Sequence, residues 1–282
     1  MAAGEGEGVR NSRQLSRGAH LAWKIAAYEA RLAGAEFIGP EHLLIGICSL
    51  EKALAADSSC GCTPASLQIL AEKEAVDLVL GKAGLNARAM RRAVRDSLLG
   101  DMAPSGGRVI HRDAACKDVF ARAEDGRVIV EVTVVHLLAS LFTRPGKAAE
   151  EAAGGTAARV VQAAGEYLAA ADRASLLSLE ITGSRNRFAA KAREPGEVGD
   201  LRQELAQKSA QLALLCLGNR DLETLIPALQ DLASGDPAAY PLLPGIIHQL
   251  GYMKDERIML DDRTVAMLAE MVRAAGTGGG QR

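Results

Sequence analysis

The stretch Glu29-Ala30-Arg31-Leu32-Ala33-Gly34-Ala35-Glu36-Phe37-Ile38-Gly39-Pro40-Glu41-His42-Leu43-Leu44-Ile45-Gly46-Ile47 holds a helix end, a turn and a helix start. Gly34 closes the preceding helix as a C-cap glycine does, and Pro40 stands where a helix begins without forfeiting a hydrogen bond. After Glu41 and His42 the run to Cys48 is apolar on nearly all sides, which predicts a buried helix. Upstream, from Ser16, Leu21, Ile25, Tyr28 and Leu32 recur at helical spacing, while Ala19, Ala22, Ala26, Ala30 and Ala33 crowd an adjoining face that lets another helix approach closely.

The same unit recurs. Val135-His136-Leu137-Leu138-Ala139-Ser140-Leu141 repeats the His-Leu-Leu core of Glu41 to Ile47. A helix beginning near Asp113, with Val119, Phe120 and Ala123 on its apolar side, precedes it and runs up to Gly126. Val128 to Val135 is rich in β-branched residues and reads as a short strand or an extended connection, with Thr133 then capping a helix through Phe142. In the first copy, Leu54 to Pro64 reads as a loop, a helix follows over about Ala65 to Leu80, Gly81 to Gly84 break it, and Asn86 caps a further helix to Leu99. Residues 101 to 108, with Pro104 and Gly106-Gly107, read as a linker.

These residues resemble the N-terminal domain of the Clp unfoldases, a double helical repeat. Its repeat motif, Glu-Ala, a spacer, Leu-Gly-His, then Tyr/Phe-Ile/Val-Gly-Thr-Glu-His-Leu-Leu, is similar to Glu29 to Ile47. Thr156-Ala157-Ala158-Arg159-Val160-Val161-Gln162-Ala163-Ala164-Gly165 resembles the family segment that follows a repeat. The second copy departs in spacing, since Gly126 lies ten residues before His136 and Gly34 eight before His42. The likeness spans about Ser16 to Leu177. It implies an all-α fold of two tandem pseudo-symmetric repeats that bind substrates and adaptors. In some members the glutamate of the Thr-Glu-His turn holds phosphorylated arginine. That glutamate corresponds to Glu41, whose carboxylate would meet a guanidinium in a charge-assisted pair. Pro40 replaces the threonine and Val135 the second glutamate, so a two-site receptor is not expected. The bland alternative is that Glu41 only favours its helix dipole.

Composition agrees with helices. Hydrophobic residues make up 48% of the 282, aromatics only 3%, and Ala and Leu lose little on entering a helix. The net charge of -2 supplies no field for a phosphate backbone, so no nucleic-acid partner is expected. No apolar run is long enough for a membrane span, and MAAGEGEGVRNSRQ is polar where a signal peptide is hydrophobic, so a cytoplasmic protein with no membrane partner is expected. Gly81-Lys82-Ala83 and Gly146-Lys147 both fail as phosphate loops, so no ATPase is expected and the chain reads as a stand-alone relative of the Clp domain. Cys48, Cys60, Cys62, Cys116 and Cys216 read as reduced structural thiols, because Cys60-Gly-Cys62 has no second pair to complete a metal knuckle. No metal, cofactor or catalytic constellation is expected.

The candidate ligand or peptide-binding residues are Glu41, Pro40 and His42. His42 and His136 are read as structural, each satisfying backbone groups at the mouth of a buried helix, since neither has a triad or ligand partner. Arg88, Arg91, Arg92 and Arg95 form a basic stripe with Asp96 as the near counter-charge, read as a solvated face with a partner surface as the sharper option. Trp23 and Tyr28 are read as core, unless one proves exposed.

The organisation expected is disorder over 1–14, the double repeat over 15–180 (first copy about 15–100, second about 110–180), a linker over 181–199, a helical domain or oligomerising hairpin over 200–275, and a disordered tail over 276–282. The last part carries 8 Lys+Arg against 12 Asp+Glu from residue 195 onward, a charge of -4, which leaves +2 ahead of it. Its helices are expected near Asp200 to Leu217, Asp221 to Ala233, Pro241 to Leu250 and Asp262 to Ala274, with turns at Asn219 and Gly235-Asp236-Pro237. The expected function is non-catalytic binding of clients, adaptors or a Clp unfoldase, by presenting clients or competing with the motor's own domain, with a homodimer through the C-terminal helices. The alternative is a sensor of a small molecule or modified residue, with those helices as output.

Overall fold

The computed structural model describes residues 14–56, 64–98, 111–125, 131–191, 198–235, 242–255 and 260–277. The segment 1–13, the Cys60-Gly-Cys62 loop, the 101–108 linker, Gly126, residues 192–197, the Asp236-Pro237 turn and the tail from 278 lie outside them. Among the described residues there are thirteen helices and four two-residue strands, an all-α protein. The chain divides into two compact units, Met1–Glu166 and Tyr167–Arg282.

Unit 1 begins with β1 (Gln14–Leu15), α1 (Arg17–Leu32), β2 (Phe37–Ile38) and α2 (Pro40–Ile47), followed by α3 (Leu50–Ala56), α4 (Pro64–Lys82) and α5 (Ala87–Leu98). It continues with β3 (His111–Arg112), α6 (Ala114–Glu124), β4 (Glu131–Val132), α7 (Val134–Thr143), α8 (Lys147–Ala153) and the start of α9 (Ala157–Lys191). Local signals set most boundaries. Gly34 takes φ 65° and Ala35 N–H reaches back to Ala30 O at 2.9 Å, ending α1 with a left-handed glycine. Asn86 Oδ1 accepts from Ala89 N–H at 3.1 Å to cap α5. Helix extends further than loop composition predicts, since α3 runs to Ala56, α4 starts at Pro64, and α8 fills part of the span after α7.

The buried face of α1 is the alanine stripe. Ala19, Ala22, Ala26 and Ala30 are fully buried, while Tyr28 and Leu32 are 51% and 56% exposed. The reason is the closeness of α2: a Cβ on Gly46 would collide with the Ala22 carbonyl oxygen, so only small side chains fit the α1–α2 contact. The expectation that Tyr28 belongs to the core is therefore corrected. Leu43, Leu44, Ile45 and Ile47 of α2 and Leu137, Leu138 and Leu141 of α7 fill the core.

The two halves of unit 1 exchange strands. β1 pairs with β4 in parallel, and β2 with β3 in parallel, so the first strand of each half joins the second strand of the other. Ser16 N–H donates to Val132 O at 3.0 Å and Asp113 N–H to Ile38 O at 3.2 Å. Ser16 Oγ then accepts from Ala19 N–H at 3.1 Å, and Asp113 Oδ1 from Cys116 N–H at 2.6 Å. Reciprocal pairing of this kind is what a twofold-related contact produces.

Unit 2 contains the later turns of α9 with α10 (Val198–Asn219), α11 (Leu222–Gly235), α12 (Leu243–Asp255) and α13 (Asp262–Thr277). Residues 181–191, expected as linker, are the last turns of α9, and the division between units falls within that helix. Ala213, Leu217, Leu225, Leu229, Leu232, Leu250 and Leu268 form one core with Leu177 and Ile181. Arg220 ends α10 in the left-handed region at φ 55°, with Asp221 N–H bonded to Cys216 O at 2.9 Å. No helix among the described residues is long and apolar enough to cross a membrane.

Candidate binding surface of unit 1

Pro40, Glu41 and His42 form the first turn of α2, held in place by the imidazole. Gly39 N–H donates to His42 Nδ1 at 3.1 Å. Thr133 N–H donates to His136 Nδ1 at 3.0 Å in the other half, with Thr133 Oγ1 at 2.7 Å from the same nitrogen. Each histidine sits at N3 and does what a glutamate does in a capping box. Accepting at Nδ1 places the ring proton of His42 on Nε2. Burial pulls the His42 pKa below its ordinary value, partly offset by the carboxylates of Asp113 and Glu29. His42 is therefore a buried, neutral, positioning side chain. Pro40 is buried as well and offers no polar atom to a ligand.

Glu41 is the partly buried member of the set, where Pro40 and His42 are buried. Its Oε2 lies 3.0 Å from where a Gly39 Cβ would stand, and Asp113 Oδ2 lies 3.3 Å from the same point. A Cβ on Gly146 would collide with Glu41 Oε1. The carboxylate thus packs against two glycines, with the Asp113 carboxylate of the other half approaching the same point.

Trp23 and Phe120 meet edge to face with ring centroids 5.6 Å apart. The Arg112 guanidinium lies over both rings, 5.6 Å from the Trp23 centroid and 4.9 Å from that of Phe120. Phe37, in register with His111, is 48% exposed. Among the described residues of unit 1, Tyr28, Leu32 and Phe37 are the large apolar side chains that remain about half exposed, and all three fall within one turn-and-a-half of helix and the strand that follows it.

The basic stripe on α5 is largely neutralised. Arg95 forms a two-pronged pair with Glu29 and Arg88 reaches Glu51 Oε1 at 3.4 Å, whereas Arg91 is buried and Arg92 exposed. Sequence spacing pointed to Asp96 as counter-charge; the true partners come from α1 and α3, which only the fold brings near. A further residue that sequence reading missed is Glu72, a buried carboxylate of α4 on the seam between the halves. Burial pushes its pKa up, against hydrogen bonds from Ser16, Val134 and Gly18 that pull it down.

Burial raises the thiols of Cys48, Cys116 and Cys216 to about 12, so all three are protonated at neutral pH and poor nucleophiles. Among the described residues no cluster of three or more His, Cys, Asp or Glu side chains forms a metal site. No protein-family model matches the chain, and no curated protein matches it.

Proposed function

We propose that the chain is a non-catalytic protein- and peptide-binding module resembling the Clp N-domains, working as an adaptor, client-binding or competitor component of a Clp-type system in the cytoplasm. The observation that carries this reading is that Tyr28 and Leu32 at the end of α1 and Phe37 in β2, large apolar side chains in one short stretch of chain, are left about half exposed. Exposed apolar surface that forms a contiguous patch marks a site of protein–protein contact, and these three side chains are the candidates for one. The reciprocal strand exchange and the two histidine caps support a tandem pair of Clp-type repeats as the scaffold.

Glu41 supports a narrower element of the same reading. A carboxylate between Gly39 and Gly146 with Asp113 beside it suits a planar cation such as a guanidinium, including that of phosphoarginine. Unit 2, with Leu242, Tyr252 and Met267 exposed, is proposed as the dimerising part.

The test uses the full chain and a permanently unfolded client protein, with binding followed by anisotropy. Tyr28→Ser, Leu32→Ser and Phe37→Ser combined should lower affinity at least tenfold, since fully burying one such side chain contributes roughly 1.5–3 kcal/mol. Unchanged affinity would remove the surface from consideration. Glu41→Ala should separately abolish binding of a phosphoarginine peptide, and an unchanged Kd would dispose of that element alone.

A further inference from the structure

We infer that Arg91, flanked on α5 by Arg88 and Arg92, forms a binding site for a phosphate monoester. Its stem is packed away and its head is unclaimed. The residue is 9% exposed, yet among the described residues it makes no hydrogen bond, ion pair or ring contact. Its nitrogens are also absent from the polar atoms sealed from water without a partner, among which are His42 Nε2 and Arg122 Nε. Water therefore still reaches the guanidinium, while burial of the stem fixes where it stands. Buried arginines are ordinarily paired, so a guanidinium held in place without an acceptor suits an incoming one.

Packing explains why no acid of the chain fills the place. Met90 and Val94 are buried on the inner face of α5, and Arg91 stands at the edge of that face, with Arg88 and Arg92 within about 100° of it around the helix. Arg91 and Asp77 act with opposite sign on the Cys48 thiol at the end of α2, but Asp77 pairs with Lys73 at 2.8 Å. Arg95 is taken by Glu29. Arg88 meets Glu51 at 3.4 Å with the two side chains 66% and 59% exposed, a pair that water and salt weaken. Glu51 and Asp96 oppose the positive field, and both are exposed.

Arg88 lies three residues before Arg91 and four before Arg92, spacings that make neighbours roughly 5–6 Å apart at Cβ on a helix surface. Three such cations match the nearly double charge of a phosphate monoester better than the single charge of a carboxylate, and the planar fork of Arg91 can meet two of its oxygens. The site uses none of the residues invoked for client binding, so the two readings fail separately.

The experiment titrates the full chain with O-phosphoserine and with a phosphoserine peptide at constant ionic strength in chloride. Binding is read by calorimetry and by the NMR resonance of Arg91 Nε–H, assigned through its loss in Arg91→Lys. Expected are saturable binding, a shift of that resonance, and binding weakened about tenfold or more in Arg91→Met, which keeps an unbranched stem. Lys24→Gln, which removes an exposed cation of α1, should bind as the unsubstituted chain does. Tighter binding of the peptide than of the amino acid assigns the group to a phosphorylated protein, and equal binding assigns it to a small phosphate ester; both support the site. Equal weakening by Arg91→Met and Lys24→Gln, or a resonance that moves no more with phosphoserine than with added chloride, overturns it. If Arg91→Met does not fold, the resonance in the unsubstituted chain decides alone.

Discussion

Trp23 and Phe120 are each the seventh residue after the N-cap of their helix, Ser16 for α1 and Asp113 for α6, and their rings meet edge to face at 5.6 Å. Equivalent positions from the two halves therefore touch each other. Arg112 covers this pair from β3, while the corresponding residue of β1 is Leu15, so the covering is one-sided.

Phe120→Ala should destabilise unit 1 by about 3–5 kcal/mol, because it empties a buried ring position. Arg112→Ala should cost only about 0.5–1 kcal/mol, the scale of an exposed cation–π contact. Denaturant midpoints of the two variants, with unchanged slopes, check the ranking.

Gly46→Ala adds one methyl where the Ala22 carbonyl oxygen already stands. Overpacking of this kind costs about 1–3 kcal/mol, more than the helix propensity gained by replacing glycine, about 1 kcal/mol. A lowered thermal midpoint is the expected outcome, and a raised one would show that α1 and α2 can separate without loss.

The pH dependence of stability should contain two opposed contributions. His42 has a folded pKa below its ordinary 6.5, so the unfolded chain binds the proton more readily and stability falls as pH drops below about 6.5, levelling off past the folded value. His42→Gln should flatten that slope while lowering stability throughout, because the Gly39 cap is weakened. Chemical unfolding at several pH values on both sides of 6.5 measures the difference.

Glu72 acts in the other direction. Its folded pKa lies above the ordinary 4.5, so folding favours the protonated form, and stability falls as pH rises from 4.5 through the folded value before levelling off. Glu72→Gln should remove this slope, which separates it from the His42 contribution in the same titration.

Arg220 carries left-handed backbone at the end of α10 and pairs with Asp262, which is almost fully exposed. Releasing the conformation is worth roughly 1 kcal/mol, and a pair with so exposed a partner roughly 0–1 kcal/mol. Arg220→Gly should therefore raise the thermal midpoint of unit 2 slightly or leave it unchanged, and a clear fall would show that the ion pair dominates.

Local signals were legible because their partners lie within a few residues. Gly34, Pro40, Asn86 and Thr133 mark helix ends through turn geometry and capping, and His42 and His136 bond to amides three residues back. The helices of unit 2 were likewise readable from apolar spacing. The direction of α1 was not, since its larger side chains suggested a core face while the approach of Gly46 selects the alanines.

The sequence by itself determined the helical class, the repeated His-Leu-Leu unit and most helix ends, all consequences of short-range periodicity and backbone preference. Only the tertiary structure decided which strands pair, which acids neutralise Arg88 and Arg95, and that Glu72 joins two helix N-termini. Those relations link residues from 37 to 117 positions apart. Their energies depend on burial and orientation, which the order of residues does not specify until the chain has closed around them.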